Sequence, residues 1–508
     1  MATATGNVFN QARLPLSHLM ASRPNVVVVV MDTARARDTV RSEHRSSVLP
    51  ALDRLAEEGT EYTHAFASAP WTLPSHASLF TGTHPSKHGA HAGHKHLDDD
   101  LPTIAEAFDG AGYETVGVSN NTWISEEFGF ARGFETLHKT WQYVQADTDL
   151  GEIARQNQGR EMVRALAARL VEGNPAINLA NAVYGRFFRK RNDDGARRTN
   201  EWVRSWLADR TRDDPFFLFV NYLEPHLEYR PPRALAERFL PDGVTYAAAM
   251  DVSQDAWGYI AGEVDLDERD FATLRALYRA EIAYLDRRIG ELRSTLEAAS
   301  EFEDTVFVVT SDHGENVGEH GLMDHQYALY DTLLHVPLFI HGGEFGTDRV
   351  DDLVGLTDLA PTLLDAAGID APDLRERSQG RSFHPGAGTE SRDHVVAEYM
   401  APQPSMDALR ERIGRLPDDV TRFDRSLRAV RTREDKLIRR SDGTRDLYEV
   451  RTDPMEARNL AAERPERVAA LEATLDDWLA SFDHRNASGS VPMTDATKAR
   501  LEDLGYLQ

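Results

Sequence analysis

Residues 24–38, PNVVVVVMDTARARD, and residues 305–316, TVFVVTSDHGEN, decide the predicted fold class. In each stretch an unbroken apolar run rich in β-branched residues leads to an aspartate, Asp32 in the first and Asp312 in the second. Such runs are typical of strands that are buried on both faces of a parallel sheet. Further predicted strands alternate with helical segments; they are 113–118, 216–222 and 336–340, and the longest predicted helix is 271–298. This alternation predicts an α/β fold with a mostly parallel, doubly wound sheet.

The chain divides into three predicted regions. Residues 1–23 form a polar N-terminal leader without a helical or strand period. Residues 24–385 form the α/β domain, which a charged helical insertion interrupts at about 141–212. Residues 386–508 contain short strands and tight turns followed by a helix at 465–482, which predicts a smaller α+β subdomain with an antiparallel sheet.

The composition restricts the function and the compartment. The chain has 83 acidic and 57 basic residues and a formal net charge of −26, so it repels nucleic acid and anionic membranes. We expect no nucleic-acid partner, and the acidic surface predicts a halophilic protein. The absence of cysteine excludes disulfides and thiolate metal ligands. Because no run approaches the ~20 apolar residues of a membrane helix and no signal peptide is apparent, we expect no membrane segment and a cytoplasmic location.

Two predicted strands end in side chains that bind cations. Asp32 follows the first strand, and Asp312 and His313 follow the strand at 305–310. Ligands of open parallel sheets gather at the carboxyl ends of the strands, and carboxylate and imidazole groups suit a divalent metal ion. Asp32 alone is equally consistent with a structural role. The string that contains Asp312 and His313 is a stronger indication, because packing alone rarely requires it.

A third segment supplies a candidate nucleophile. In residues 71–82, WTLPSHASLFTG, Thr72 lies where we expect a helix N-cap, with Pro74 in the first turn. A hydroxyl at a helix N-terminus faces unpaired backbone N–H groups, which favour an oxyanion. Taken alone, the segment would be interpreted as an ordinary capping threonine.

Several further strings occur in the order in which one known family has them. They are WTLPSHASLFTGTHPSKHG at 71–89, HVPLFI at 335–340, GLTDLAPTLLDAAGI at 355–369, QGRSF at 379–383 and LYEVRTDPMEARNL at 447–460. With the two stretches quoted first, they resemble the sulfatase family of the alkaline-phosphatase-like superfamily. The resemblance implies an α/β sandwich with a small C-terminal sheet subdomain and one divalent metal ion. It also implies a metal-dependent hydrolase that cleaves a small anionic substrate, a sulfate ester or a phosphate ester or diester, with a nucleophile bound to the metal.

The nucleophile segment departs from the sulfatase pattern at two positions. Thr72 stands where sulfatases have the Cys or Ser that becomes formylglycine, and His76 replaces an arginine. The set Asp32, Thr72, Asp312 and His313 is instead similar to the metal site of lipoteichoic acid synthases and phosphoethanolamine transferases, in which an unmodified threonine is the nucleophile. This similarity implies a phosphodiesterase or phosphoryl transferase as an alternative. Of Ca²⁺, Mg²⁺, Mn²⁺ and Zn²⁺, a site with few carboxylates and a histidine favours the last three.

The resemblance assigns roles to further residues. His226 and His325 match histidines that contact the ester oxygens, and His226 would protonate the leaving group. Arg35 would hold the metal carboxylate or the bound anion, and His76 would contact the substrate. A lysine–histidine string usual in the family is missing, and Asn120, followed by a second asparagine, stands in its place as a substrate contact.

Two alternatives remain open at this point. The loss of the arginine and of the lysine-bearing string is consistent with a degenerate, non-catalytic family member that binds an anion. Histidines also crowd the stretch that follows Thr72; they are His76, His84, His88, His91, His94 and His96. A second metal site is one reading of this stretch, and a solvated loop with incidental histidines is the favoured one.

Overall fold

A computed structural model of the chain describes residues 23–39, 48–140, 195–418 and 420–485, together with 493, 497–498 and 501. Residues 1–22 of the predicted leader and 141–194 of the predicted insertion lie outside the described residues. Within the described part of the chain, no helix combines the length and the apolar character that crossing a membrane requires.

The strands and helices follow one another in the alternating order that the sequence predicts. The strands are β1 Asn25–Met31, β2 Thr60–Phe66, β3 Glu114–Ser119, β4 Thr136–Lys139, β5 Phe216–Tyr222, β6 Thr305–Ser311, β7 Asn316–Val317, β8 Met323–Asp324, β9 His335–Val336, β10 Leu338–His341, β11 Arg349–Gly355, β12 Val395–Tyr399, β13 Leu427–Arg431, β14 Lys436–Arg440 and β15 Arg445–Tyr448. The helices are α1 Ala36–Thr39, α2 Pro50–Glu58, α3 Thr72–Thr81, α4 Pro85–His88, α5 Ile104–Gly110, α6 Ala196–Asp209, α7 Arg233–Ala236, α8 Tyr246–Met250, α9 Ala256–Ile260, α10 Glu268–Ala298, α11 Asp331–Leu334, α12 Leu359–Ala366, α13 Pro372–Arg377, α14 Met406–Ile413 and α15 Pro465–Ala480.

The central sheet has the strand order β11-β2-β10-β6-β1-β5-β3-β4, and β9 pairs with β2. All neighbouring pairs are parallel except those that involve β9 and β10, so the predicted mostly parallel sheet is confirmed. The strand predicted at 336–340 is divided into β9 and β10 at Pro337. Proline has no N–H to donate to a neighbouring strand, which explains the break.

Helices cover both faces of the sheet, and β5 illustrates why. Its side chains alternate between the two faces of the sheet, so Phe216 and Phe219 contact different helices. The ring of Phe216 packs on Trp206 of α6 at a centroid distance of 5.2 Å. The ring of Phe219 packs on Phe80 of α3 at 4.9 Å. Since every residue of β5 is buried, the sheet lies inside a sandwich, as predicted.

Helix α6 shows that the last part of the predicted insertion belongs to the sandwich. It packs against β5 and against α10. Trp206 of α6 also donates a hydrogen bond to Glu114 Oε1 of β3 at 3.0 Å. The sequence pattern does not indicate this packing, because most of α6 is charged or polar and only one narrow stripe is buried.

The C-terminal region forms the predicted small antiparallel sheet, in the order β12-β13-β14-β15. One face of this sheet and helix α15 enclose a separate apolar cluster, made of Val396, Val430, Leu437, Leu447, Leu460, Val468, Leu471 and Leu475. The other face joins the main core through Ala397, Ala429 and Ile438. Alternation along the strands therefore attaches the small sheet to the sandwich on one side and to α15 on the other.

Candidate active site

The two predicted metal aspartates lie side by side because their strands are neighbours. Strands β1 and β6 are parallel and in register up to the pair Met31 and Ser311. The next residues, Asp32 and Asp312, therefore leave the sheet at the same level. With His313 they form a cluster whose ligand atoms all lie within 4.8 Å of one another, and all three side chains are fully buried.

The donor atoms of this cluster fit a cation. Asp32 Oδ1 and Asp312 Oδ2 accept no hydrogen bond from the described residues. His313 Nδ1 donates to Gly314 O at 2.9 Å, which leaves Nε2 with a lone pair 3.3 Å from Asp312 Oδ2. Unsatisfied buried carboxylate oxygens are costly unless they are paired or bind a metal. The chemistry of these three groups suits one divalent ion.

The pKa values of the cluster reflect the cost of burying these charged groups. Burial, and then the neighbouring Asp312, raise the pKa of Asp32 well above its usual value. Burial raises the pKa of Asp312 to about 7, although N–H groups of Thr33 and His313 partly oppose this. Burial, and then His325, hold the pKa of His313 well below its usual value, so this ring stays neutral. A bound dication would remove the repulsion between the carboxylates.

Thr72 lies beside the cluster, as the sequence predicts. Its Oγ1 is 3.4 Å from His313 Nε2, and it is completely buried. The predicted N-cap assignment is wrong by one residue, because the cap of α3 is Trp71 and Thr72 is the first helical residue. Since the N–H groups of this first turn have no helical partners, the hydroxyl still lies at the positive end of the helix.

His76 also belongs to the cluster, on the side of Asp312. It lies one turn after Thr72 in α3, and its Nδ1 donates to Thr72 O at 2.9 Å. The same atom is 3.5 Å from Asp312 Oδ2. Burial lowers the pKa of His76 to about 4, so the ring is neutral and does not replace the charge of an arginine. Its predicted contact with the substrate stays a prediction.

His226 and His325 come from different loops and meet at the same site. Their ring centroids are 5.3 Å apart, and the ring of His325 is 4.6 Å from that of His313. Burial opposes a charge on His325, but the carboxylates of Asp324 and Glu315 outweigh burial and raise its pKa well above the usual value. The raised pKa favours the imidazolium form of His325 at neutral pH, next to the cluster.

Arg35 does not lie on the metal carboxylates, where we expected it. Its Nε donates to Asp38 Oδ2 at 2.7 Å, and its Nη1 donates to Glu319 Oε1 at 2.9 Å. Its guanidinium also lies over the ring of Tyr278, 4.8 Å from the centroid. Asp38, three residues further on, and Glu319, on a distant segment, thus neutralise this charge, and the sequence pattern alone does not reveal the pair with Glu319.

Asn120 turns away from the cluster, and its neighbour Asn121 faces it. The amide oxygen of Asn120 accepts hydrogen bonds from the hydroxyls of Thr140 and Thr199, at 2.6 and 2.9 Å. The Nδ2 atom of Asn121 donates to Asp32 Oδ2 at 2.6 Å and lies 3.4 Å from the Thr72 hydroxyl. The two asparagines therefore lie beside the cluster, as predicted, but Asn121 rather than Asn120 contacts it.

Comparisons with known proteins agree with this architecture. Two buried aspartates and a histidine lie beside a helix-terminal hydroxyl at the carboxyl edge of the α/β sheet, where open sheets bind their ligands. The model of the family named Sulfatase matches residues 24–369, and the chain belongs to that family.

Individual relatives are distant but cover most of the chain. Arylsulfatase K of Rattus norvegicus is 26% identical over 485 residues, which span 90% of this chain and 78% of the relative. The phosphonate monoester hydrolase of Agrobacterium radiobacter superposes with a TM-score of 0.65 at 20% identity, over 91% of this chain and 96% of that one. A structure of a sulfatase-like protein from Bacteroides thetaiotaomicron superposes with a TM-score of 0.64 at 19% identity, over 92% and 96%.

The family membership confirms the predicted enzyme class. The chain is a hydrolase of the sulfatase family. The predicted α/β fold with its smaller C-terminal sheet is also confirmed by these superpositions.

Proposed function

We propose that the chain hydrolyses small anionic esters through attack by the unmodified hydroxyl of Thr72, at one divalent metal ion held by Asp32, Asp312 and His313. The observation that carries this proposal is the position of the Thr72 hydroxyl beside the cluster of buried ligand atoms: Thr72 Oγ1 lies 3.4 Å from His313 Nε2, and the ligand atoms of Asp32, Asp312 and His313 lie within 4.8 Å of one another. Among the described residues, Asp32 Oδ1 and Asp312 Oδ2 have no hydrogen-bond donor. Thr72 lies on α3, and the three ligands directly follow β1 and β6, which favours a fixed geometry.

The metal ion, when bound, would stabilise the alkoxide of Thr72 and the charge that develops on the substrate oxygens. The other steps fall to the residues of the chain. Asn121 holds Asp32 through its amide N–H and directs the same amide towards the Thr72 hydroxyl. His313 is kept in one orientation by its bond to Gly314 O, so its Nε2 atom faces the cluster.

The reaction proceeds in two balanced displacements. Thr72 attacks as its alkoxide, after its hydroxyl proton has passed to bulk water. Thr72 Oγ1 forms a bond to phosphorus or sulfur while the bond to the leaving oxygen breaks, and the His325 imidazolium, in place of His226 that the resemblance implied, gives its proton to that oxygen because its pKa is the raised one. Water then attacks the covalent threonine ester, His325 takes a proton from this water, and the Thr72 oxygen is released again as the alkoxide. Asp324 and Glu315, which raise the pKa of His325, keep this proton available.

The chemistry of threonine favours phosphoric over sulfuric esters. Formylglycine is an aldehyde, whereas the Cβ atom of Thr72 carries a methyl group, so its oxidation would give a ketone. A hydrated aldehyde has a second hydroxyl that can expel a bound sulfate by breaking the C–O bond. A threonine ester has no such group and needs attack by water at the central atom, which is the common route of metal-assisted phosphoryl hydrolysis. The names of the relatives support both ester classes as candidates.

The test is a panel of aryl sulfates, phosphate monoesters, phosphodiesters and phosphonate monoesters with Mg²⁺, Mn²⁺, Zn²⁺ or Ca²⁺. We expect turnover of at least one phosphoric or phosphonic ester, and a loss of roughly 10³-fold or more in kcat for Thr72→Ala. Thr72→Ser should retain activity because the hydroxyl remains. Thr81→Ala is a matched control, since Thr81 is a buried threonine of the same helix whose hydroxyl bonds to Ala77 O at 2.7 Å.

Two outcomes would contradict the proposal. Turnover by Thr72→Ala at the wild-type rate would remove the nucleophile. Activity confined to sulfate esters would contradict the preference for phosphoric esters. Inactivity towards the whole panel, with the fold intact, would instead support an anion-binding protein without catalysis.

A further inference from the structure

A second group of cation-binding side chains lies in the segment HKHLD at 94–98, after the nucleophile helix. His94, His96 and Asp98 each present a ligand atom, and these atoms lie within 4.8 Å of one another. His94 Nε2 is 3.0 Å from Asp98 Oδ2, and His96 Nδ1 is 2.9 Å from Asp98 Oδ1. None of these residues takes part in the cluster around Thr72.

The backbone holds the three side chains together. A tight turn at Lys95, closed by His96 N–H donating to His94 O at 2.9 Å, brings the two histidines to one side. Leu97 anchors the segment, because its side chain is buried and its N–H donates to Phe128 O at 3.0 Å. A Cβ atom at Gly129 would come within 2.1 Å of Leu97 O, so only glycine permits this close approach.

The three side chains are close enough to share a metal ion. Bonds of roughly 2.0–2.2 Å to nitrogen and oxygen place neighbouring ligand atoms about 3.0–3.5 Å apart in tetrahedral or octahedral geometry. The histidine nitrogens and the Asp98 oxygens lie 2.9–3.1 Å apart as hydrogen-bonded pairs, so a cation that replaces the shared protons needs only small movements of its ligands. The side chains of His94, His96 and Asp98 are 16%, 29% and 24% exposed, so an ion and its waters can reach them.

We propose that His94, His96 and Asp98 form a second metal site, separate from the one at Thr72, that takes a divalent transition ion, Zn²⁺ above all. Two imidazoles and one carboxylate suit Zn²⁺ better than Mg²⁺ or Ca²⁺, which prefer oxygen ligands only. Water would complete the coordination. The site binds an ion for structural purposes and takes no part in ester cleavage.

Asp98 also connects this site to the C-terminal part of the chain. Arg485, which follows α15, pairs with Asp98 Oδ2 at 2.5 Å, and its own N–H donates to Ser86 O at 2.8 Å. A ligating carboxylate commonly keeps such a partner on its second oxygen. With Asp98 Oδ1 on the ion and Asp98 Oδ2 on Arg485, the site would link the segment that follows α15 to residues 94–98.

The test counts zinc in the full-length protein. Protein dialysed against Zn²⁺ and then against metal-free buffer is assayed by elemental analysis. We expect two equivalents per chain in the wild type and one in Asp32→Asn/Asp312→Asn, which lacks the carboxylates of the Thr72 cluster. Adding His94→Ala and His96→Ala to that variant should remove the remaining equivalent, whereas adding His91→Ala should not.

The outcomes separate this inference from the proposed function. If the Asp32→Asn/Asp312→Asn variant holds no zinc, or if its zinc survives His94→Ala/His96→Ala, the second site does not exist. If the wild type holds one equivalent that only the histidine variants remove, the second site stands and the metal at Thr72 does not. Thermal denaturation in EDTA shows whether each variant folds. Visible bands of Co²⁺ in the Asp32→Asn/Asp312→Asn variant, lost on adding His94→Ala, give the same answer with a second probe.

Discussion

Replacing Asn121 tests whether the cluster is a metal site whose geometry depends on a supporting amide. The Nδ2–H of Asn121 donates to Asp32 Oδ2 at 2.6 Å, inside a fully buried environment. A hydrogen bond to a charged group contributes about 1.5–3 kcal/mol, which corresponds to roughly 10- to 150-fold in a binding constant. We therefore expect Asn121→Ala to weaken metal binding by about 10- to 100-fold, the usual effect of losing a partner of a ligand.

The assay is a titration of the metal-free protein with Mn²⁺ or Zn²⁺ against a chelating dye, followed by kcat/KM at saturating metal. Asn120→Ala is the matched control, because Asn120 is adjacent in sequence but bonds to Thr140 and Thr199 on the opposite side. Asn120→Ala should bind metal like the wild type. If the metal affinity of Asn121→Ala stays within threefold of the wild type, or if both variants lose affinity equally, Asn121 does not support a metal ligand.

Three further predictions concern stability. Burial raises the pKa of Asp286 to about 6, although hydrogen bonds from the N–H groups of Leu52 and Ala51 oppose this. Ionisation of Asp286 therefore destabilises the fold as the pH rises, and Asp286→Asn should gain about 2 kcal/mol on the wild type between pH 4 and 6. A difference in Tm that stays constant over this range would contradict this. Gly314→Ala places a Cβ atom 2.1 Å from Thr332 O, so the variant should lose about 1–3 kcal/mol of unfolding free energy and its activity. Gly110→Ala is the control and should be tolerated, because the space around Gly110 is open. Chelation of the bound metal should lower the Tm, and added Mn²⁺ or Zn²⁺ should restore it. A Tm that changes neither with chelator nor with added metal would count against the metal site.

The sequence predicts the core of the site because local patterns determine it. Strands β1 and β6 are recognisable as buried β-branched runs, and parallel neighbours end at one edge of the sheet. The proximity of Asp32 to Asp312 therefore follows from the pattern and one assumption about strand order. Thr72 could be placed for a similar reason, since a helix start is visible in the sequence, although its cap was misplaced by one residue.

The parts that the sequence did not predict depend on tertiary contacts. Asn120 and Asn121 follow the end of β3, where successive side chains point to opposite sides. A shift of one residue therefore decides which of the two faces the cluster. Arg35 was misplaced because its partner Glu319 lies almost three hundred residues away. Helix α6 was read as an insertion because its burial against β5 and α10 exists only in the folded chain.

The covalent role of Thr72 is tested most directly by stopping the enzyme with acid during turnover of a phosphoric ester and mapping its peptides by mass spectrometry. We predict a phosphoryl group on the peptide that contains Thr72, located on that residue by fragmentation. In Thr72→Ser the group should lie on the serine at the same position. A turning-over enzyme with an unmodified Thr72, or with the group on another side chain, would contradict it.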